Sequence, residues 1–178
     1  MNWQDIPKMT IANYQVDVSW KYLEEQLANY ERDYGLELEP DFQRSHVWKP
    51  EQQTKYIEWI VRNGKTGKEI YFNCPNWRLN PQGPIVLVDG LQRMTAVREF
   101  LNNNIPIFDG YYINDIDGKF PWLDYGFRFY VNDLCNRKEV IQWYIDLNEN
   151  NVAHTKTEIN KAKRILEQEE DNAKNKKE

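Results

Sequence analysis

Apolar residues recur along this 178-residue chain in two rhythms, and the switches between them mark its elements. Trp20, Leu23, Leu27 and Tyr30 fall at helical spacing behind Ser19, which can cap a helix that ends near Gly35. LELEPDF then alternates apolar and charged residues until Pro40 stops it, as an edge strand would. Pro50 suits a first helical position and predicts a second helix over 50–64, with Ile57, Ile60 and Val61 as its buried stripe. Residues 70–73 and 84–88 read as strands separated by the turn-rich CPNWRLNPQG, and the second is apolar throughout, the pattern of a central strand. A helix over 91–102 follows at once, with Leu91, Met94, Val97 and Leu101 on one side. Residues 107–131 read as extended, with turns at Asp109 with Gly110 and at Asp117 with Gly118. Two helices close the pattern, one over 137–148 and one from Thr155, where Thr155 and Glu158 form a capping box ahead of Ile159, Ala162 and Leu166. Beyond Leu166 the stripe stops, which predicts a single domain over 1–166 and a charged, frayed or disordered tail over 167–178.

Composition narrows the class. Lys and Arg total 23 against 28 Asp and Glu, a net charge of -5, which argues against a protein that coats nucleic acid by bulk electrostatics. Hydrophobic residues reach 40% and aromatics 14%, so a mean hydropathy of -0.85 does not signal disorder. No basic segment followed by an apolar stretch opens the chain, and no run is long enough to span a bilayer; the expectation is a cytoplasmic protein with no membrane partner. Cys74 and Cys135 read as reduced thiols, and with only His46 and His154 a His-rich metal site or a two-His nuclease centre is hard to assemble. The charge is uneven, however. Residues 41–68 carry Arg44, Lys49, Lys55, Arg62, Lys65 and Lys68 against Asp41, Glu51 and Glu58, a basic zone suited to one anionic ligand.

Two constellations could carry chemistry. In PDFQRSHVW, residues 40–48, Arg44 offers a planar fork for phosphate or carboxylate, Gln43 adds an amide and Trp48 could stack on a base. The plainer alternative makes Phe42, Val47 and Trp48 core residues and pairs Arg44 with a carboxylate. In VLVDGLQRMTA, residues 86–96, a strand turns at Asp89 and Gly90 into a helix whose free N–H groups favour anions. There Gly90 permits close backbone approach, Arg93 can clamp a phosphate, and Asp89 could hold Mg²⁺ or orient a water. Equally, Asp89 with Gln92 can be an Asx capping box and Gly90 a relief of the turn. Neither GxxxxGK[ST] nor GxGxxG occurs.

Taken together, PDFQRSHVW and VLVDGLQRMTAVREFL resemble the N-terminal domain family of GmrSD-type modification-dependent restriction proteins, within the ParB/sulfiredoxin-like superfamily. That family has an FQR-x-x-VW element before a helix and a strand ending in D-G-Q-Q-R; YIDLNENNVAHTKTEINKA is similar to its closing segment. The resemblance covers roughly residues 18–166. It implies an α+β, ParB/sulfiredoxin-like fold, a small mixed β-sheet with packed helices, whose two motifs face one cleft. It further implies a nucleotide-binding domain, a Mg²⁺-dependent NTP hydrolase in one version, acting in restriction, phage defence or counter-defence. Arg44 and Arg93 would contact the phosphates of a nucleoside triphosphate or nucleic acid, and Asp89 a Mg²⁺ or water. Gln92 would position water or a phosphate oxygen, alongside Gln43 and Gly90. As a stand-alone copy the domain would work with a protein partner carrying a nuclease domain. The alternative is a non-enzymatic module for DNA, reading a modified base or DNA end through Trp48 and Arg44, or for protein interaction; a nuclease acting alone is less favoured. Leu91 departs from the family pattern, which has Gln there, and so puts hydrolysis in question more than binding.

Overall fold

The computed structural model describes residues 10, 12–116, 120–149 and 156–175. Thr155 of the expected capping box, the turn at Asp117 with Gly118, and His154 lie outside the described residues.

The elements run β1 (Tyr14–Ser19), a 3₁₀ turn (Trp20–Tyr22), α1 (Leu23–Tyr34), β2 (Leu36–Glu37), α2 (Pro50–Val61), β3 (Glu69–Asn73), β4 (Ile85–Asp89), α3 (Leu91–Leu101), a second 3₁₀ turn (Ile113–Asp115), β5 (Gly126–Asn132), α4 (Arg137–Asn148) and α5 (Lys156–Asn175). The five strands form one mixed sheet in the order β1-β5-β3-β4-β2, an α+β architecture as expected. β1 pairs antiparallel with β5, β5 parallel with β3, β3 antiparallel with β4, and β4 parallel with the two-residue edge strand β2.

Strand periodicity divides the core. Ile70 and Phe72 of β3, Ile85 and Leu87 of β4, and Phe127, Phe129 and Val131 of β5 face α1, α2 and α3. On the opposite face, Val86 and Val88 of β4 and Tyr71 of β3 meet α4, α5 and Phe42. β4 is therefore buried on both sides, which accounts for its unbroken apolar run. The second helical layer stops short of β1. Over β1 and β5 the outer face carries Gln15, Asp17 and Arg128, all exposed. The aromatic content goes mainly into the first core: Trp20 packs within 5.5 Å of Tyr125 and 6.5 Å of Phe100, and Phe72 within 5.0 Å of Phe129.

One expectation changes. Among the described residues of the segment read as extended over 107–131, only Gly126–Asn132 forms a strand. Ile107 and Tyr111 close a single bridge around a turn, and Ile105, Ile107 and Ile113 plug the core from irregular backbone. Pro106 and Pro121, lacking N–H donors, work against a continuous ladder. At the other end, α5 continues unbroken to Asn175, through the charged segment that follows Leu166. Among the described residues no helix is long and apolar enough to cross a membrane.

Truncating Phe129 to Ala should destabilise the protein by about 3–5 kcal/mol, as for other large core aromatics, lowering the urea midpoint at unchanged slope. The cysteines give a second check. Cys74 is fully buried, and burial pushes its thiol up to about 11, whereas Cys135 is exposed. One thiol should therefore react with iodoacetamide in the native protein at pH 8, and the second only after unfolding.

Candidate functional site

β4 ends at Asp89, the chain turns at Gly90, and α3 begins at Leu91. Gly90 has φ +114°, and a Cβ there would lie 2.5 Å from the Ile70 side chain, so the close approach that demands glycine is to the protein's own core. Gly90 is the N-cap residue and makes no side-chain cap; the expected Asp89 and Gln92 capping box does not form. Arg93 instead folds back. Its Nη2 donates to Asp89 Oδ2 at 2.6 Å and to the Glu69 carbonyl at 2.9 Å. Desolvation alone would lower the Arg93 pKa, but Asp89, Tyr56 and Glu69 outweigh it and hold the guanidinium charged. Arg93 is thus an anchor between β3 and β4. Asp89 meets a cation that is already in place, and among the described residues no group of three His, Cys, Asp or Glu could hold a metal ion. A lone carboxylate paired with arginine does not by itself fit a divalent-cation site.

The 40–48 loop lies against this junction. Phe42 is buried in the second core, 5.5 Å from Tyr144. Next to it the buried Gln43 donates from Nε2 to the Val88 carbonyl at 3.1 Å, while its Oε1 has no hydrogen-bond partner among the described residues. Gln92 makes the principal tether: Oε1 accepts from the Val47 and Trp48 amides at 2.9 and 3.0 Å, and Nε2 donates to the Ser45 carbonyl at 3.2 Å. His46 closes the loop from within, its Nε2 lying 3.0 Å from the Trp48 carbonyl and 2.9 Å from the Gln53 amide. The Lys161 ammonium of α5 approaches the Gln43 carbonyl at 3.5 Å.

Gln43, Arg44, Asp89, Gly90, Gln92 and Arg93 therefore gather at one end of β4. Arg44 is half-buried on the stretch that Gln43 and Gln92 pin from either side. Three more residues are engaged within the protein. Gln92 faces the loop backbone, so both ends of its amide are occupied and it is not placed to position water. Trp48 is half-buried against the first core, with its ring 5.6 Å from Tyr56. Leu91, where the resembling family has Gln, is only 6% exposed and packs in the first core. Sequence reasoning missed Glu69, whose carbonyl anchors Arg93, and Lys161; Glu69 is recruited through its backbone, which leaves no trace in residue type.

Two cavities flank this region. A polar cleft of about 440 Å³ opens beside Lys68 and Glu69, at the same end of the sheet. A smaller cavity of about 170 Å³, largely apolar, lies at the opposite end between Phe42, Asn73, Pro84 and Leu134. The second is too small for a nucleotide.

A family model described as the GmrSD restriction endonuclease, N-terminal domain, matches residues 23–178. No curated protein and no solved structure matches the chain.

Removing the tether should be costly. Gln92→Ala leaves the Val47 and Trp48 amides without their acceptor, at roughly 1–3 kcal/mol for each group that stays buried. The expected readout is a lowered denaturation midpoint together with faster hydrogen exchange at Val47 and Trp48; unchanged exchange at those two amides would count against the tether.

Proposed function

This chain belongs to the GmrSD restriction endonuclease N-terminal domain family, and from that premise we propose that it is a nucleotide-binding domain of restriction-type phage defence. A nucleoside triphosphate is held by its phosphates where the 43–48 loop meets the start of α3. The observation that carries this reading is the joining of the two motifs through Gln43 and Gln92, which sets the Arg44 loop against the opening turn of α3. A guanidinium beside a helix N-terminus combines a bidentate donor with outward N–H groups and the positive end of a dipole.

The roles divide accordingly. Arg44 contacts phosphate. Gln43 and Gln92 are positioning residues that fix the loop, Gly90 lets β4 and α3 meet at the required angle, and Trp48 buttresses the loop from the core. Arg93 holds Asp89 in place instead of reaching for the ligand. Mg²⁺ belongs to this reading only as the companion of a triphosphate, its shell completed by phosphate oxygens and water. With Leu91 in the core and the Gln92 amide occupied, the reading is of binding ahead of hydrolysis.

Titration calorimetry with ATP, GTP, CTP and UTP, with and without Mg²⁺, tests it. At least one should bind, and Arg44→Ala should weaken that binding tenfold or more, a change of about 1.4 kcal/mol per factor of ten. Absence of binding by all four, or an Arg44→Ala protein that binds as well as wild type, sinks the proposal. Retention of modified DNA in a gel shift, with no triphosphate bound, would put the interaction-module reading in its place.

A further inference from the structure

The loop between α2 and β3 reads Gly64-Lys65-Thr66-Gly67-Lys68. Side chains of α2 draw its carbonyls inward. The Tyr56 hydroxyl donates to the Gly67 carbonyl at 2.7 Å, and the Trp59 indole Nε1 donates to the Thr66 carbonyl at 3.3 Å. Burial raises the Tyr56 pKa, so its hydroxyl stays a donor throughout the physiological range. Gly67 takes φ +79°, and Gly64 sits against the Trp59 ring with no room for a Cβ. The loop is thus clamped to α2 through its acceptors.

Lys65 and Lys68 line the polar cleft of about 440 Å³, within the roughly 300–1,000 Å³ range of small-ligand sites. Neither has an ion-pair partner among the described residues. The cleft's other charges are largely engaged: Arg128 is bonded to Asp17 at 2.8 Å, and Glu69 Oε2 accepts from the Lys68 amide at 3.0 Å. Asp124 is exposed at the rim. Because Arg93 grips the Glu69 carbonyl, this cleft adjoins the Asp89 and Arg93 pair directly.

We propose that the Gly64 to Lys68 loop and this cleft form a second subsite for the nucleotide. The Lys65 and Lys68 ammonium groups hold phosphate oxygens, and the exposed Asp124 carboxylate at the rim accepts hydrogen bonds from the sugar hydroxyls. The mixed charge of the lining favours a ligand bearing both phosphate and donor groups over a bare anion. This inference rests on the nucleotide reading above and extends it across the sheet end, from the Arg44 loop to β1.

The test compares wild type, the double variant Lys65→Ala/Lys68→Ala and Arg44→Ala in calorimetry with the four nucleoside triphosphates and with inorganic tripolyphosphate. Lys65 is exposed and Lys68 half-buried at the cleft wall, and neither belongs to a core cluster, so the double variant should melt near the wild-type temperature. It should lose tenfold or more in affinity for both probes, and the Gly67 amide signal of the wild-type protein should shift as either is added. A double variant that binds as well as wild type overturns the subsite; if Arg44→Ala is weakened in the same series, the nucleotide reading survives that loss. If wild type binds no probe, both fall together.

Discussion

A single amide at the start of α3 sets the geometry around it. Gln92 is helical, yet its side chain completes the hydrogen bonding of three backbone groups in a loop more than forty residues earlier. The two amides share the one acceptor in part-buried surroundings, so removing Gln92 takes away a partner from each. The tether requires α3 to begin where it does, and that start in turn requires Gly90, because Ile70 fills the space a side chain would need. Loop, strand end and helix start are therefore one hydrogen-bonded unit, with Arg44 carried on it.

The same economy governs the charges. Arg93 and Asp89, four residues apart on strand end and helix, neutralise one another while Arg93 also ties β3 to β4. A partly buried pair of this kind is worth keeping for the geometry it imposes more than for net stability. On either side of this pair lie Arg44, on the loop, and the lysines of the 64–68 segment, the cations to which the proposed phosphate contacts are assigned.

Much of this was legible in the residues. The helices followed from apolar spacing, with Ser19 and Pro50 marking two of the starts, and the continuous apolar run of β4 announced burial on both faces. The pairing of FQR with DGLQR pointed to a shared site, which the two glutamine side chains join. What could not be read was tertiary. The insertion of β5 between β1 and β3 depends on which faces pack, and Pro106 and Pro121 lie in a stretch whose alternation mimics a strand. Residue type alone did not distinguish a Gln that faces a ligand from one that faces a loop; the turn at Gly90 decides it. Nor could the basic zone over 41–68 reveal that Tyr56 and Trp59 bind the Gly67 and Thr66 carbonyls.

The 43–48 loop runs directly into Pro50, the first residue of α2, and α2 packs along α3 within the same core. The starts of α2 and α3 are thus joined by the Gln92 amide and their flanks by side-chain packing, so the position of the loop is tied to the placement of two helices on the sheet and not to the loop backbone alone.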